Sequence, residues 1–203
     1  MTTTFRRSPL ALAILGLLEG GPMHPYGIQR LIKQWGKDRV VNIGPRASLY
    51  RMIDRLEEAG LVTAVGTDRD ERYPERTTYQ LTDAGHAASR QWLLEILSTP
   101  RNEYPEFPAA LSFIMLLRPR TAENVLVDRR IRLAQQIADL DRGLASGIEG
   151  VETPRVAPEM EYLRAITDAE MRWVDTTLET LQDGSLTWDP GGLPVGPGAA
   201  PAG

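Results

Sequence analysis

Three arginines and two hydroxyl side chains crowd one short stretch: Arg46, Ser48, Tyr50, Arg51 and Arg55, with the small Ala47 among them. A guanidinium presents forked donors that match phosphate oxygens and the acceptor edge of guanine. Hydroxyls donate to phosphates, and a small residue lets a helix approach another surface closely. The chemistry on offer is recognition of a polyanion. An ordinary solvated helix face would use the same residue types, so the surrounding elements have to decide between the two. Arg46, Ser48 and Arg51 are the candidates for base or near-base contacts. Tyr50 either donates to a phosphate or buries its ring and leaves only its hydroxyl outside. Arg55 either reaches the nucleic-acid backbone or pairs with Glu57 or Glu58.

The stretch that carries these groups reads as a helix over 45–59. Gly44-Pro45 opens it, with proline pre-set for a first turn, and Gly60 closes it in the left-handed conformation. Leu49, Met52, Ile53 and Leu56 recur at helical spacing and form its inward stripe. Two helices precede it. Ser8-Pro9 supplies a cap and a first-turn proline for one that runs to about Leu18, with Leu10, Ile14, Leu17 and Leu18 on one side. Gly20-Gly21-Pro22 breaks the chain, and His24-Pro25 starts a second helix through about Trp35. Each of the three is too short to be stable alone in water, so they must pack on one another, as in a helix-turn-helix.

Two β-rich runs follow, 61–65 and 72–82, across a polar turn. Thr77, Tyr79 and Leu81 alternate with Arg76, Thr78 and Gln80, so one side faces a core. A hairpin placed directly after the third helix makes a winged helix. Arg69, Arg72 and Arg76 sit where a wing could meet phosphate, although Asp68, Asp70, Glu71 and Glu75 stand beside them. Thr82-Asp83 caps a fourth helix to about Ser98, with Ala88, Trp92, Leu93, Ile96 and Leu97 as its apolar set. An apolar helix over 107–117 comes next. A long helix follows over 122–145, capped by Thr121, in which Leu126, Leu133 and Leu140 recur every seven residues, a coiled-coil-like seam interrupted by Arg130. The last helix, 159–181, carries Leu163, Ile166, Trp173, Val174, Leu178 and Leu181. The expected fold class is mainly α: a winged helix-turn-helix with a small β-hairpin wing over 1–82, a helical dimerisation domain over 83–183, and a Gly/Pro/Ala tail over 184–203. That tail cannot bury enough surface to offset its chain entropy and is expected to be disordered.

Composition sets the outer limits. The chain has 203 residues, 42% hydrophobic and 25% charged, and no cysteine. Disulfides and thiolate chemistry are therefore excluded. No apolar run is long enough to span a bilayer, and the stretch after Arg7 ends in Glu19-Gly20-Gly21-Pro22, not in a leader-peptidase site. The expectation is a cytoplasmic protein that needs no membrane. The net charge of −4 divides unevenly: residues 1–90 hold 13 Lys and Arg against 10 Asp and Glu, and 91–203 hold 10 against 17. A polyanion partner is therefore expected at the amino-terminal part. His24 and His86 both lie near helix starts, and no nucleophile, metal or phosphate-loop motif is present. No enzyme activity, metal or cofactor is expected. Trp92, Trp35, Phe113 and Trp173 could line a pocket for a small aromatic effector, or simply fill core and interface.

Four segments in order, 8–18, 21–28, 48–61 and 79–85, resemble the PadR family of transcriptional regulators, with Leu49-Tyr50 matching a signature of its third helix. The carboxy-terminal half is similar to the longer, Vir-type version of that family. The resemblance implies a winged-helix DNA-binding domain, a helical dimerisation domain, and repression relieved by a small molecule. A homodimer on double-stranded DNA is then expected, with an inverted-repeat operator because the two-fold of the dimer must match that of the DNA. A winged-helix module that binds protein without sequence-specific DNA recognition is the alternative.

Overall fold

The computed structural model describes residues 5–68, 76–145 and 157–190. Arg69 and Arg72 of the expected wing lie outside them, as do residues 146–156 and, of the expected tail, residues 191–203. The chain divides into two compact units, Met1–Arg101 and Asn102–Gly203. The expected start of a helical domain at 83 differs from this division by one helix, which belongs with the first unit.

In the first unit, α1 (Pro9–Leu18), α2 (Pro25–Gln34) and α3 (Arg46–Glu58) precede β1 (Val62–Asp68), β2 (Arg76–Leu81) and α4 (Asp83–Ser98). Side chains mark the starts as the sequence suggests. The Ser8 hydroxyl accepts from the Ala11 amide at 3.2 Å, and Thr82 accepts from Gly85 at 3.0 Å. His24 Nδ1 accepts from the Tyr26 amide at 3.0 Å. α1 is the centre of the unit: Ala11, Ile14 and Leu15 are buried as fully as Leu17 and Leu18, so its core surface is wider than one stripe. Ile28 and Ile32 of α2, Leu49, Ile53 and Leu56 of α3, and Val62 and Leu81 of the strands close over it. Each such side chain contributes roughly 1.5–3 kcal/mol by leaving water.

The strands pair antiparallel from Val62 opposite Leu81 to Asp68 opposite Arg76, with a register shift between Ala64 and Gly66. A bulge of that kind bends and twists a hairpin. Met23 adds a short third edge, exchanging both backbone hydrogen bonds with Tyr79 at 2.8 and 3.0 Å. At the far end Thr82 donates to the Gly60 carbonyl at 2.6 Å. A Cβ on Gly85 would lie 2.0 Å from the Leu61 carbonyl oxygen, so α4 can pack against the end of α3 only with glycine there.

The second unit is built on an antiparallel pair, α6 (Pro119–Ala145) and α7 (Pro158–Gln182), preceded by α5 (Glu106–Leu111). Leu126, Leu133 and Leu140 are buried between the long helices, as the seven-residue spacing suggests. Arg130 does not interrupt that seam, because it stands at the rim and pairs with Asp175. α6 begins at Pro119, so Thr121 lies inside its first turn and is not its cap. The expected helix over 107–117 is split into α5 and a 3-10 turn, Ile114–Leu116. In α7, Val174 and Leu178 are buried, whereas Ile166 and Trp173 are exposed.

Candidate nucleic-acid interface

The Asn42 side-chain oxygen accepts from the Gly44 amide at 2.9 Å, and Gly44 takes φ of +60°. This turn sets the entry to α3. Pro45 does not form the first helical turn. It is extended at ψ 151° and serves as the residue before the helix, with no side-chain cap. The first-turn amides of α3 therefore lack a side-chain acceptor, and no acidic residue stands in that turn. The positive end of the helix dipole and the Arg46 guanidinium share one place, a poor arrangement for an isolated helix and a good one for a phosphate.

Arg46, Ala47, Tyr50, Arg51 and Arg55 are all exposed, and Ser48 is half-buried. Arg51 donates to the Ser48 hydroxyl at 3.3 Å, so these two act as one polar group. Tyr50 keeps its ring at the surface, 39% exposed, which removes the alternative of a core tyrosine. Arg55 extends its guanidinium over the Phe5 ring, 5.3 Å from the centroid. The polarity of α3 reverses along its length: the exposed Asp54, Glu57 and Glu58 follow the arginines. Glu57 is used locally, accepting from the Ala64 amide at 3.2 Å. Positive charge is thus concentrated in the amino-terminal half of α3, and Arg55 carries it on along the helix among the carboxylates.

The residue that pattern reading missed is Tyr26. It lies at the start of α2, 52% exposed, and the Arg46 guanidinium sits 5.6 Å from its ring centroid. A lone tyrosine after His24-Pro25 carries no local signal of such a contact. Behind this surface Tyr79 has its phenol pushed up, first by burial and then by the charges of Glu57 and Asp54. The phenol therefore stays protonated across ordinary pH. Of the wing arginines, Arg76 opens β2 opposite Asp68.

The expected effector aromatics are divided between the two units. Trp35 and Trp92 border the core of the first unit, and Trp92 is stacked on Phe5 at 5.7 Å with 14° between planes. Phe113 and Trp173 belong to the second unit. Trp173 meets Phe107 edge-on at 5.9 Å, and Arg129 lies over the Phe107 ring. Phe113 is exposed.

Residues 14–91, which include α2, α3, the hairpin and the Tyr26–Arg46 contact, match the Transcriptional regulator PadR-like family. These residues belong to the PadR-like family. No curated relative matches the chain. Among solved structures, Bacillus subtilis PadR in complex with operator DNA is similar at a TM-score of 0.70 and 20% identity, covering 87% of this chain and 99% of that one. The same protein in complex with p-coumaric acid is similar at 0.64 and 20%, over the same shares of both chains. A PadR-like regulator of Bacillus cereus is similar at 0.58 and 19%, covering 86% and 99%. At these identities the likeness is one of fold: a PadR winged helix followed by a helical carboxy-terminal region. Among the described residues, no helix is long and apolar enough to cross a membrane.

Proposed function

We propose that this chain is a DNA-binding transcriptional regulator that acts as a homodimer on an inverted-repeat operator, and that a small aromatic effector releases it as a repressor. The observation that carries the reading is the exposed, uncapped, basic amino-terminal half of α3. Arg46, Ser48 and Arg51 read or approach base edges, and Tyr50 and Arg55 hold the sugar–phosphate backbone. A two-fold pair of chains sets two copies of α3 in successive major grooves, about 10 bp apart or a multiple of that. Arg69, Arg72 and Arg76 are the candidates for a further phosphate contact.

Exposed apolar side chains support the pairing. Leu93, Leu94, Ile96 and Leu97 form an uncovered surface on α4, and a two-helix pair such as α6 and α7 leaves its outer faces, with Val125, Ile131 and Ile166, in water. Surfaces of this kind mark interaction sites. The solved complexes of Bacillus subtilis PadR, one with operator DNA and one with p-coumaric acid, support the choice of partner and of effector class.

The test is a gel shift on the DNA upstream of the chain's own gene, with and without phenolic acids. The expected result is a retarded band that Arg46→Ala with Arg51→Ala abolishes and that an aromatic acid weakens. Unchanged retardation in the double variant would overturn the assignment of α3. Binding to duplex that is absent or insensitive to salt would favour the protein-docking alternative, because phosphate contacts release counterions.

A further inference from the structure

The segment before α1 holds two helices of the winged domain to one ring. Phe5 is partly covered and packs against the domain core. Its ring stacks on the Trp92 indole of α4 and also lies under the Arg55 guanidinium of α3. Two residues on, Arg7 pairs with Glu95, one helical turn beyond Trp92. Glu95 is itself steadied by Gln91, whose amide donates to it at 2.9 Å. The segment is thus clipped to α4 at two points, and Phe5 is presented from there to the flank of α3.

We propose that Phe5 is a positioning residue for Arg55. The aromatic face attracts the cation and limits its rotamers, so the guanidinium meets a phosphate with its freedom already reduced. Trp92 backs the ring, so the position of Arg55 follows α4, the helix proposed to pair with a second chain. This rests on the DNA-binding reading and adds to it a residue outside the recognition helix and the wing. Phe5 touches no nucleic acid itself. It works through Arg55.

The experiment measures affinity of the full chain for a random-sequence duplex across a salt series. It compares wild type, Phe5→Leu, Phe5→Tyr, Arg55→Ala and the double variant Phe5→Leu with Arg55→Ala. Leucine keeps apolar bulk against Trp92 and removes the π face, whereas tyrosine restores it. Phe5→Leu is expected to bind about two- to fivefold more weakly. Its log–log salt slope should shift toward that of Arg55→Ala, which loses about 0.9 for one phosphate. The double variant should bind no worse than Arg55→Ala, and Phe5→Tyr should match wild type. A Phe5→Leu protein that binds like wild type, or whose loss adds to that of Arg55→Ala, overturns the proposal. The Arg55 Nε–H signal of the free wild-type protein gives a second readout that no variant's folding affects. A ring-current shift from Phe5 supports the placement, and its absence overturns it. If wild type shows no salt-dependent binding, the DNA reading fails first, and the role of Phe5 fails with it even where the ring-current shift is present.

Discussion

Arg46 is a cation on the positive end of a helix, a position that costs stability unless something compensates. The compensation is the face of Tyr26, and it leaves the guanidinium exposed. Tyr26→Ala should therefore weaken binding to duplex by about two- to fivefold, measured by fluorescence anisotropy with labelled DNA, and lower stability by no more than the roughly 0.5–1 kcal/mol of an exposed cation–π contact. At Gly85 the constraint is steric. With Leu61 oxygen where a Cβ would go, Gly85→Ala must push α4 off the end of α3, at a cost of about 1–3 kcal/mol in urea denaturation. The same residues show what a sequence exposes at this scale. Arg46 and Arg51 were legible because charge type and helical spacing are local properties. Tyr26 and Phe5 were not, because each acts by meeting a side chain from another element, and nothing in its own neighbours encodes the meeting.

Among elements, α3 and α6 behave as their periodicities demand. Leu133 is buried in the seam, and Leu133→Ala should lower stability by about 2–5 kcal/mol in the same denaturation assay. α4 departs from its pattern: Trp92 packs inward, while Leu93, Ile96 and Leu97 stay in water and Ser89 is buried in their place. Its junction with the preceding segment should respond to acid. Glu95 has its carboxyl held below the usual carboxylate range, first by the Gln91 amide and next by Arg7. A lowered folded pKa stabilises above the ordinary carboxylate range, and the contribution is lost as pH falls through the lowered value. The melting difference between wild type and Glu95→Gln should accordingly be constant at neutral pH and vanish in acid. Caps were readable at Ser8 and Thr82, since a hydroxyl before a helix satisfies a specific amide. Pro45 misled by one residue, because its φ suits the position before the helix as well as the first turn.

For the whole molecule, the proposed pairing places the uncovered leucines of α4 against a second chain. Leu94→Glu with Leu97→Glu should halve the mass seen by sedimentation and sharply reduce affinity for a two-half-site duplex, since the second half-site would no longer be tethered. A mass unchanged from wild type would remove α4 from the interface. The sequence by itself determined the order of the helices, the hairpin after the third, the seven-residue seam and the basic side of α3. These follow from periodicity, caps and charge, which are written within a few residues. Only the tertiary structure decided that Met23 extends the sheet to Tyr79, that Gly85 is crossed by the Leu61 carbonyl, and that one phenylalanine ring lies against both Trp92 and Arg55. Those are meetings between residues distant along the chain, fixed by how the helices pack and not by any residue's own neighbours.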